Sequence, residues 1–375
     1  MRPVYIIAAR RSAVASRNGA FRNVELHDLA APVIATALKD AGLRPGPVDE
    51  VMFGNALYGG GNPARLAALA AGIPESIPAL TIDTQCCAGL DAIMLAASCI
   101  SSGEAEVVVA GGVESFSRSP LRFVRPSAPN EMPREYSRPP FTPWADRDPD
   151  MIEAAGLLAE ELGISRVEQE GFAVESHRTA LRTDHRDEIV LVARLQRDEF
   201  SRKLDAGVCA RLPALAGDPG HAVTAATTAV EADAAAAVVV VSEEVASRHS
   251  GPKLRILGGQ RGGGNPEQPG LAPITAAQTL LRRHGVPPGD LARAEIMEAF
   301  AIQAMACVNG LGLDSGIVNV GGGALSRGHP IGASGAILAV RLFHELKHQP
   351  ARSLGLAAIA AAGGLGSALL VSASA

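Results

Sequence analysis

The sequence predicts an α/β protein, and three observations carry that expectation. Apolar strand-like runs alternate along the chain with Ala-rich stretches of helical period, a spacing that calls for crossover helices and makes much of the sheet parallel. Hydrophobic residues are 47 % and charged residues 19 % of the 375 positions, which is a globular balance and excludes a disordered chain. Glycine and proline number 40 and 25 without any repeating period, and one Trp, three Tyr and nine Phe leave the core to Ala, Val, Leu and Ile.

The first strand is expected from Val4 to Ala9, an apolar run stopped by Arg10 and Arg11. That run is too short for a secretory leader, and its charges fall on the wrong side. A helix follows from Leu26 to Ala41, a strand from Glu50 to Phe53, a helix opened by Pro63 and running to Ala71, a helix from Gly89 to Ser101, and a strand from Glu106 to Ala110. Between Ser117 and Asp150 the composition shifts, with Pro120, Pro126, Pro129, Pro133, Pro139, Pro140, Pro143 and Pro149 among Arg118, Arg122, Arg125, Arg134, Arg138 and Arg147. This predicts an inserted surface loop, whose arginines are either solvated or placed for the phosphates of a large ligand. A charged helical region from Met151 to about Arg186 comes next, then a strongly apolar strand from Ala234 to Val241. The uncharged stretch from Ser353 to Ala375 approaches bilayer-spanning length, but Gly363, Gly364 and Gly366 divide it into Leu354 to Ala361 and Leu369 to Val371. A strand hairpin, and no membrane span, is expected there.

The formal charge of −5 offers no general attraction for nucleic acid or an anionic membrane. Cys86, Cys87, Cys99, Cys209 and Cys307 have no CxxC spacing. A reduced, cytoplasmic setting with one functional thiol is expected rather than a disulfide framework.

An internal echo points to that thiol. CCAGLDAIMLAAS (86–98) leads through a helix to VVVAGG (107–112), and HPIGASGAILAVRLF (329–343) leads through a helix to AAIAAAGG (357–364). Two similar halves would each aim a turn and a helix N-terminus at a shared centre. Cys86 sits at the first of these turns, where unpaired N–H groups and the helix dipole are expected to lower its pKa, although a lone cysteine among apolar residues also fits a core position. His329 sits at the second turn, between Gly328 and Pro330. A thiol and an imidazole beside one carbonyl are the parts of covalent acyl transfer. HELKH (344–348) matches the zinc pattern HExxH, but Pro350 ends the helix and no third ligand follows, so a solvated last turn and no metal are expected. The glycine clusters at 258–264 and 321–323 do not form a dinucleotide fingerprint.

In this order, IIAARRSA near the start, GNPARLAALAAGIP (61–74), the cysteine block 86–92, VVVAGGVESFS (107–117), AEELGISRVEQEGFAVESHRTA (159–180), MEAFA (297–301) and GGGALSRGHPIGASGA (321–336) resemble the thiolase family of acyl-CoA acyltransferases, within the thiolase and ketoacyl-synthase superfamily. The resemblance covers nearly the whole chain. It implies a five-layered αβαβα fold of two similar halves with an inserted loop domain: 1–116 plus about 230–251 for the N-terminal half, 117–229 for the insertion, and 252–375 for the C-terminal half. It implies Cys86 as the acyl-carrying nucleophile, His329 as its activator, and the backbone N–H groups of Cys86, Ala362 and Gly363 as an oxyanion hole. Met151, Ala229 and Glu298 fall on positions that contact coenzyme A or the acyl substrate. A homodimer or homotetramer follows, with a coenzyme A thioester as substrate and no permanently bound cofactor.

Several positions depart from the family pattern, among them Cys87-Ala88 in place of a Gly-Ser after the nucleophile. Ala360 stands where the family keeps a second cysteine, which acts as the carbanion base. Met297 stands where NEAF has asparagine, a polar partner of an oxyanion site. ATTAV (226–230) replaces the GNASG segment. Losing a general base costs about 10²- to 10⁴-fold and losing an oxyanion donor about 10²- to 10³-fold. The resemblance therefore implies an acyltransferase that forms acyl-Cys86 from acyl-CoA or a carrier-bound acyl group, with condensation set apart from the two-cysteine route. Its alternatives are a conventional acetyl-CoA acetyltransferase or 3-ketoacyl-CoA thiolase using another base, a decarboxylative condensing enzyme, and a non-catalytic CoA-binding subunit working with a biosynthetic partner protein.

Overall fold

In the computed structural model, which describes residues 2–374, the alternating runs become a mixed α/β fold. The first part of the chain supplies strands β1 (Val4–Ser12), β2 (Glu50–Gly54), β3 (Ala79–Ile82), β4 (Val107–Glu114) and β5 (Ala232–Ser242). Its helices are α1 (Leu26–Asp40), α2 (Pro63–Ala70) and α3 (Ala88–Ser102). Between β4 and β5 lie a small hairpin, Phe123–Val124 against Arg134–Glu135, and helices α4 (Met151–Leu162) and α5 (Arg166–Arg182). The last part supplies β6 (Lys253–Gly263), β7 (Leu291–Ile296), β8 (Leu354–Ala361) and β9 (Leu365–Ser374), with helices α6 (Ala272–His284), α7 (Ala301–Leu311) and α8 (Ile331–Leu346).

The strands join in the order β7-β8-β9-β6-β1-β5-β4-β2-β3 within an 11-stranded sheet. The order runs outward from the β1/β6 junction in the same sense on each side, and an isolated bridge from Ala294 to Val318 takes the place of β3 in the second half. At the junction only Val4, Tyr5 and Ile6 pair with Ile256, Arg255 and Leu254. The expected parallel pairing holds for β2 with β3 and β4 and for β7 with β8. It fails for β1 with β5 and β6, β4 with β5, β6 with β9, and β8 with β9, which are antiparallel. The reason is local: a tight turn at 362–364 closes β8 onto β9 without a crossover, and β5 returns only after the long segment containing α4 and α5.

Three apolar cores define five layers. Helices α1 and α2 cover the outer face of the first strand set, α6 and α7 cover the outer face of the second, and α3 and α8 lie side by side between them. The stretch Gln85–Ser102 is long and apolar enough to cross a bilayer, but it is this central helix, packed in the middle core. The chain's C-terminal apolar stretch forms β8 and β9, as expected.

Two differences from the sequence reading have clear causes. The charged region from Met151 onward is two helices, because Gly163 takes a left-handed conformation (φ 64°) and Ser165 opens a new helix through a capping box with Glu168. Strand β4 runs on past Ala110 to Glu114, because Gly111 and Gly112 let the β5 backbone and the α8 N-terminus approach closely. Apolar counting alone does not reveal such a crossing.

Candidate active site

Helices α3 and α8 interlock at their N-termini. A Cβ on Gly89 would meet Ala336 N at 2.8 Å, and one on Gly335 would meet Leu90 N at 2.6 Å, so these glycines set the closeness of the helices. The loops entering the two helices are thereby brought together. Gln85 holds φ at 56°, unusual for a residue with a side chain, and turns the chain so that Cys86 precedes α3. On the other side Gly328 (φ 110°) admits His329, whose N–H donates to Val230 O at 2.8 Å.

The outcome is a thiol–imidazole pair: His329 Nε2 lies 3.1 Å from Cys86 Sγ. Ser334, on the first turn of α8, fixes the ring. Its hydroxyl donates to Pro330 O at 3.0 Å and so accepts from His329 Nδ1–H at 2.7 Å, leaving the Nε2 lone pair toward sulfur.

Burial pushes the Cys86 thiol up to about 12, with Glu114 and Asp83 adding to the rise, while the backbone N–H groups of Cys86 and Ala362 act on the sulfur in the opposite sense. Burial likewise lowers His329 to about 4. At neutral pH the resting pair is a neutral thiol hydrogen-bonded to a neutral imidazole. This corrects the expectation of a lowered thiol pKa: desolvation between the two strand sets outweighs the helix N-terminus.

The remaining candidates are placed as follows. Ala362 and Gly363 form the turn between β8 and β9; Gly363 holds φ 76°, and a Cβ there would meet Phe141 O at 3.0 Å. Ala360 is 8 % exposed on β8 and pairs with Gly366. Met297 is buried in the middle core, its N–H donating to Ala358 O. Glu298 is buried as well and accepts from Ser176 Oγ (2.7 Å), Asn319 Nδ2 (2.7 Å) and Leu325 N (3.1 Å), which ties down the glycine loop at 321–323. Ala229 donates its N–H to Ala299 O beside that residue, and Met151 is the half-buried first residue of α4. Cys87 points away from the pair, toward Ile359 O at 3.5 Å.

HELKH differs from the solvated turn expected of it. His344 Nε2 lies 2.9 Å from Ala9 O in a half-buried position, because α8 lies between the two strand sets to its end; Glu345 pairs with Arg341, and of these five residues only His348 is exposed. Among the described residues no group of three metal-ligating side chains forms. No pattern in the sequence singles out Ser334, Asn55 or Glu114. For Ser334 the available signal was its position one helical turn into the histidine's own helix.

The chain is similar to known proteins over nearly its whole length. Residues 4–244 match the family description "Thiolase, N-terminal domain" and residues 251–373 match "Thiolase, C-terminal domain". The chain is 40 % identical over 376 residues to a putative acetyl-CoA C-acetyltransferase, YhfS, of Bacillus subtilis (97 % of this chain, 98 % of the relative). It is 38 % identical to an acetyl-CoA acetyltransferase of Cupriavidus necator (99 % of each). The crystal structure of the Bacillus anthracis acetyl-CoA acetyltransferase superposes with a TM-score of 0.91 at 36 % identity, over 100 % of this chain and 99 % of that one.

Proposed function

The chain belongs to the thiolase family of acyltransferases, and from that premise we propose that it transfers acyl groups from coenzyme A thioesters through acyl-Cys86, as an acetyl-CoA acetyltransferase whose carbon–carbon step uses a base other than a second cysteine. The observation that carries this reading is the 3.1 Å contact between Cys86 Sγ and His329 Nε2, with Nδ1 held by Ser334. In the first half-reaction the thiol proton passes to Nε2 as sulfur attacks the thioester carbonyl. The N–H groups of Cys86, Ala362 and Gly363 receive the oxyanion, and its collapse expels the coenzyme A thiolate, which takes the proton back from Nε2. His329 is then neutral again beside the acyl-sulfur. It is the titratable side chain in contact with Cys86, and we assign it the α-proton of the second acyl thioester.

Ala360 favours a second reading, in which a malonyl-type donor loses carbon dioxide to form the carbanion without a base. Acetoacetyl-CoA cleavage by coenzyme A, assayed beside malonyl-CoA consumption, separates the two. Thiolysis without malonyl turnover supports the first, and the reverse result replaces it.

The same reading includes a homodimer or homotetramer in the cytoplasm, coenzyme A or carrier-bound acyl groups as substrates, and no resident cofactor. It also includes the division of the chain into halves 1–116 with about 230–251 and 252–375, around an insertion at 117–229. Met151, Ala229 and Glu298 are the positions we assign to the substrate side.

A further inference from the structure

Glu114 ends β4 with its carboxylate fully buried and, among the described residues, with no cation bonded to it. Oε1 accepts from Asn55 Nδ2 (2.8 Å) and Leu57 N (3.3 Å), and Oε2 accepts from Ala56 N (3.0 Å) and Gly332 N (2.9 Å). Three of these donors belong to the loop after β2, in the half that carries Cys86. The fourth is the first turn of α8, the helix that carries His329 and Ser334. Gly332 is also held sterically, since a Cβ there would meet Asn55 Cα at 2.5 Å and Glu114 Oε2 at 3.0 Å. An unpaired carboxylate is costly to bury unless its acceptor sites are filled, and here each oxygen has two donors.

We propose that Glu114 is a positioning residue for acyl transfer: its ionised carboxylate clamps the N-terminus of α8 to the Cys86 half and so holds His329 Nε2 at hydrogen-bonding distance from Cys86 Sγ. The consequence for catalysis rests on the acyl-Cys86 reading; the clamp itself rests on the four hydrogen bonds. A neutral side chain cannot replace it. Glutamine presents an NH₂ to one of the two donor pairs, and a protonated glutamic acid presents an O–H, so either sets donor against donor. The titratable groups that act on Cys86 along with Glu114 include Asp83, which also raises Glu114 itself.

The test reads Cys86 alone and needs no acyl substrate, so its failure is distinct from failure of the acyltransferase reading. Iodoacetamide alkylation is followed peptide by peptide from pH 5 to 9. In the wild-type protein the rate at Cys86 falls as pH drops through about 7, where buried Glu114 takes up its proton, well above the value of about 4 for His329. Glu114→Gln lowers the rate at neutral pH by about 10²-fold, the order expected for a misplacement near 1 Å, and abolishes the inflection near 7. Half-exposed Cys99 keeps its rate in a folded variant, whereas labelling of buried Cys87, Cys209 and Cys307 reports misfolding. Should the variant misfold, the wild-type profile decides. A Cys86 rate with no inflection near pH 7, or a folded Glu114→Gln protein that keeps both rate and inflection, overturns the proposal.

Discussion

Cys86 and His329 lie 243 positions apart in the chain and 3.1 Å apart in space, and each is neutral when the other is at rest. Under the proposed mechanism, catalysis depends on moving one proton between them. Replacing His329 with alanine removes the acceptor and lowers Cys86 acylation by about 10²- to 10⁴-fold, measured as release of coenzyme A in a single turnover. Ser334→Ala frees the ring to adopt the other tautomer; the same assay shows a smaller loss, about 10-fold. Ala360→Cys restores a thiol on β8 and raises acetoacetyl-CoA cleavage by about 10²-fold without changing the acylation burst; an unchanged cleavage rate shows that His329 already suffices. The pair was legible in the sequence because each residue opens an echoed turn-and-helix unit. Its protonation state was not, since a helix N-terminus is visible in sequence and the desolvation opposing it appears only once the two strand sets enclose the thiol.

At the scale of elements, the site exists because α3 and α8 touch through glycine. Gly335→Ala places a methyl against Leu90 N, where backbone cannot yield cheaply. Overpacking of this kind costs about 1–3 kcal/mol. Denaturant titration will show that loss, together with slower acylation than Gly285→Ala, a change at a left-handed helix cap remote from the site. The alternation of apolar and Ala-rich runs revealed β1, β2, β4, β5 and helices α1 to α3 from composition and period. It did not reveal β3, β7 or the glycine-rich β6, which are short or carry too little apolar signal. Nor did it show that most neighbouring strands would be antiparallel, because pairing direction depends on where the long insertion returns.

Across the whole molecule, one buried carboxylate joins three parts of the chain. Glu188, in the segment between β4 and β5, bonds Arg11 of β1 through Oε1 (2.7 Å) and Arg341 of α8 through Oε2 (2.6 Å). Its pKa is held well below the usual value by Arg341 and Arg11 against the cost of burial. A folded pKa below the unfolded one means that this stabilisation is complete above about pH 4.5 and is lost as pH falls through the folded value. Acid should thus loosen the union of the halves. Glu188→Gln, which leaves two buried guanidiniums short of a partner, destabilises by about 3–5 kcal/mol in urea at pH 7. The union matters because Cys86 and His329 come from opposite sides of it. The direct test is to mix the protein with acetyl-CoA, quench in acid and locate the adduct by tandem mass spectrometry. One acetyl group on Cys86, absent from Cys86→Ala and slowed in His329→Ala, is the predicted result; an intact, alkylatable Cys86 with no acetyl group, or an acetyl group on Cys87 instead, contradicts it.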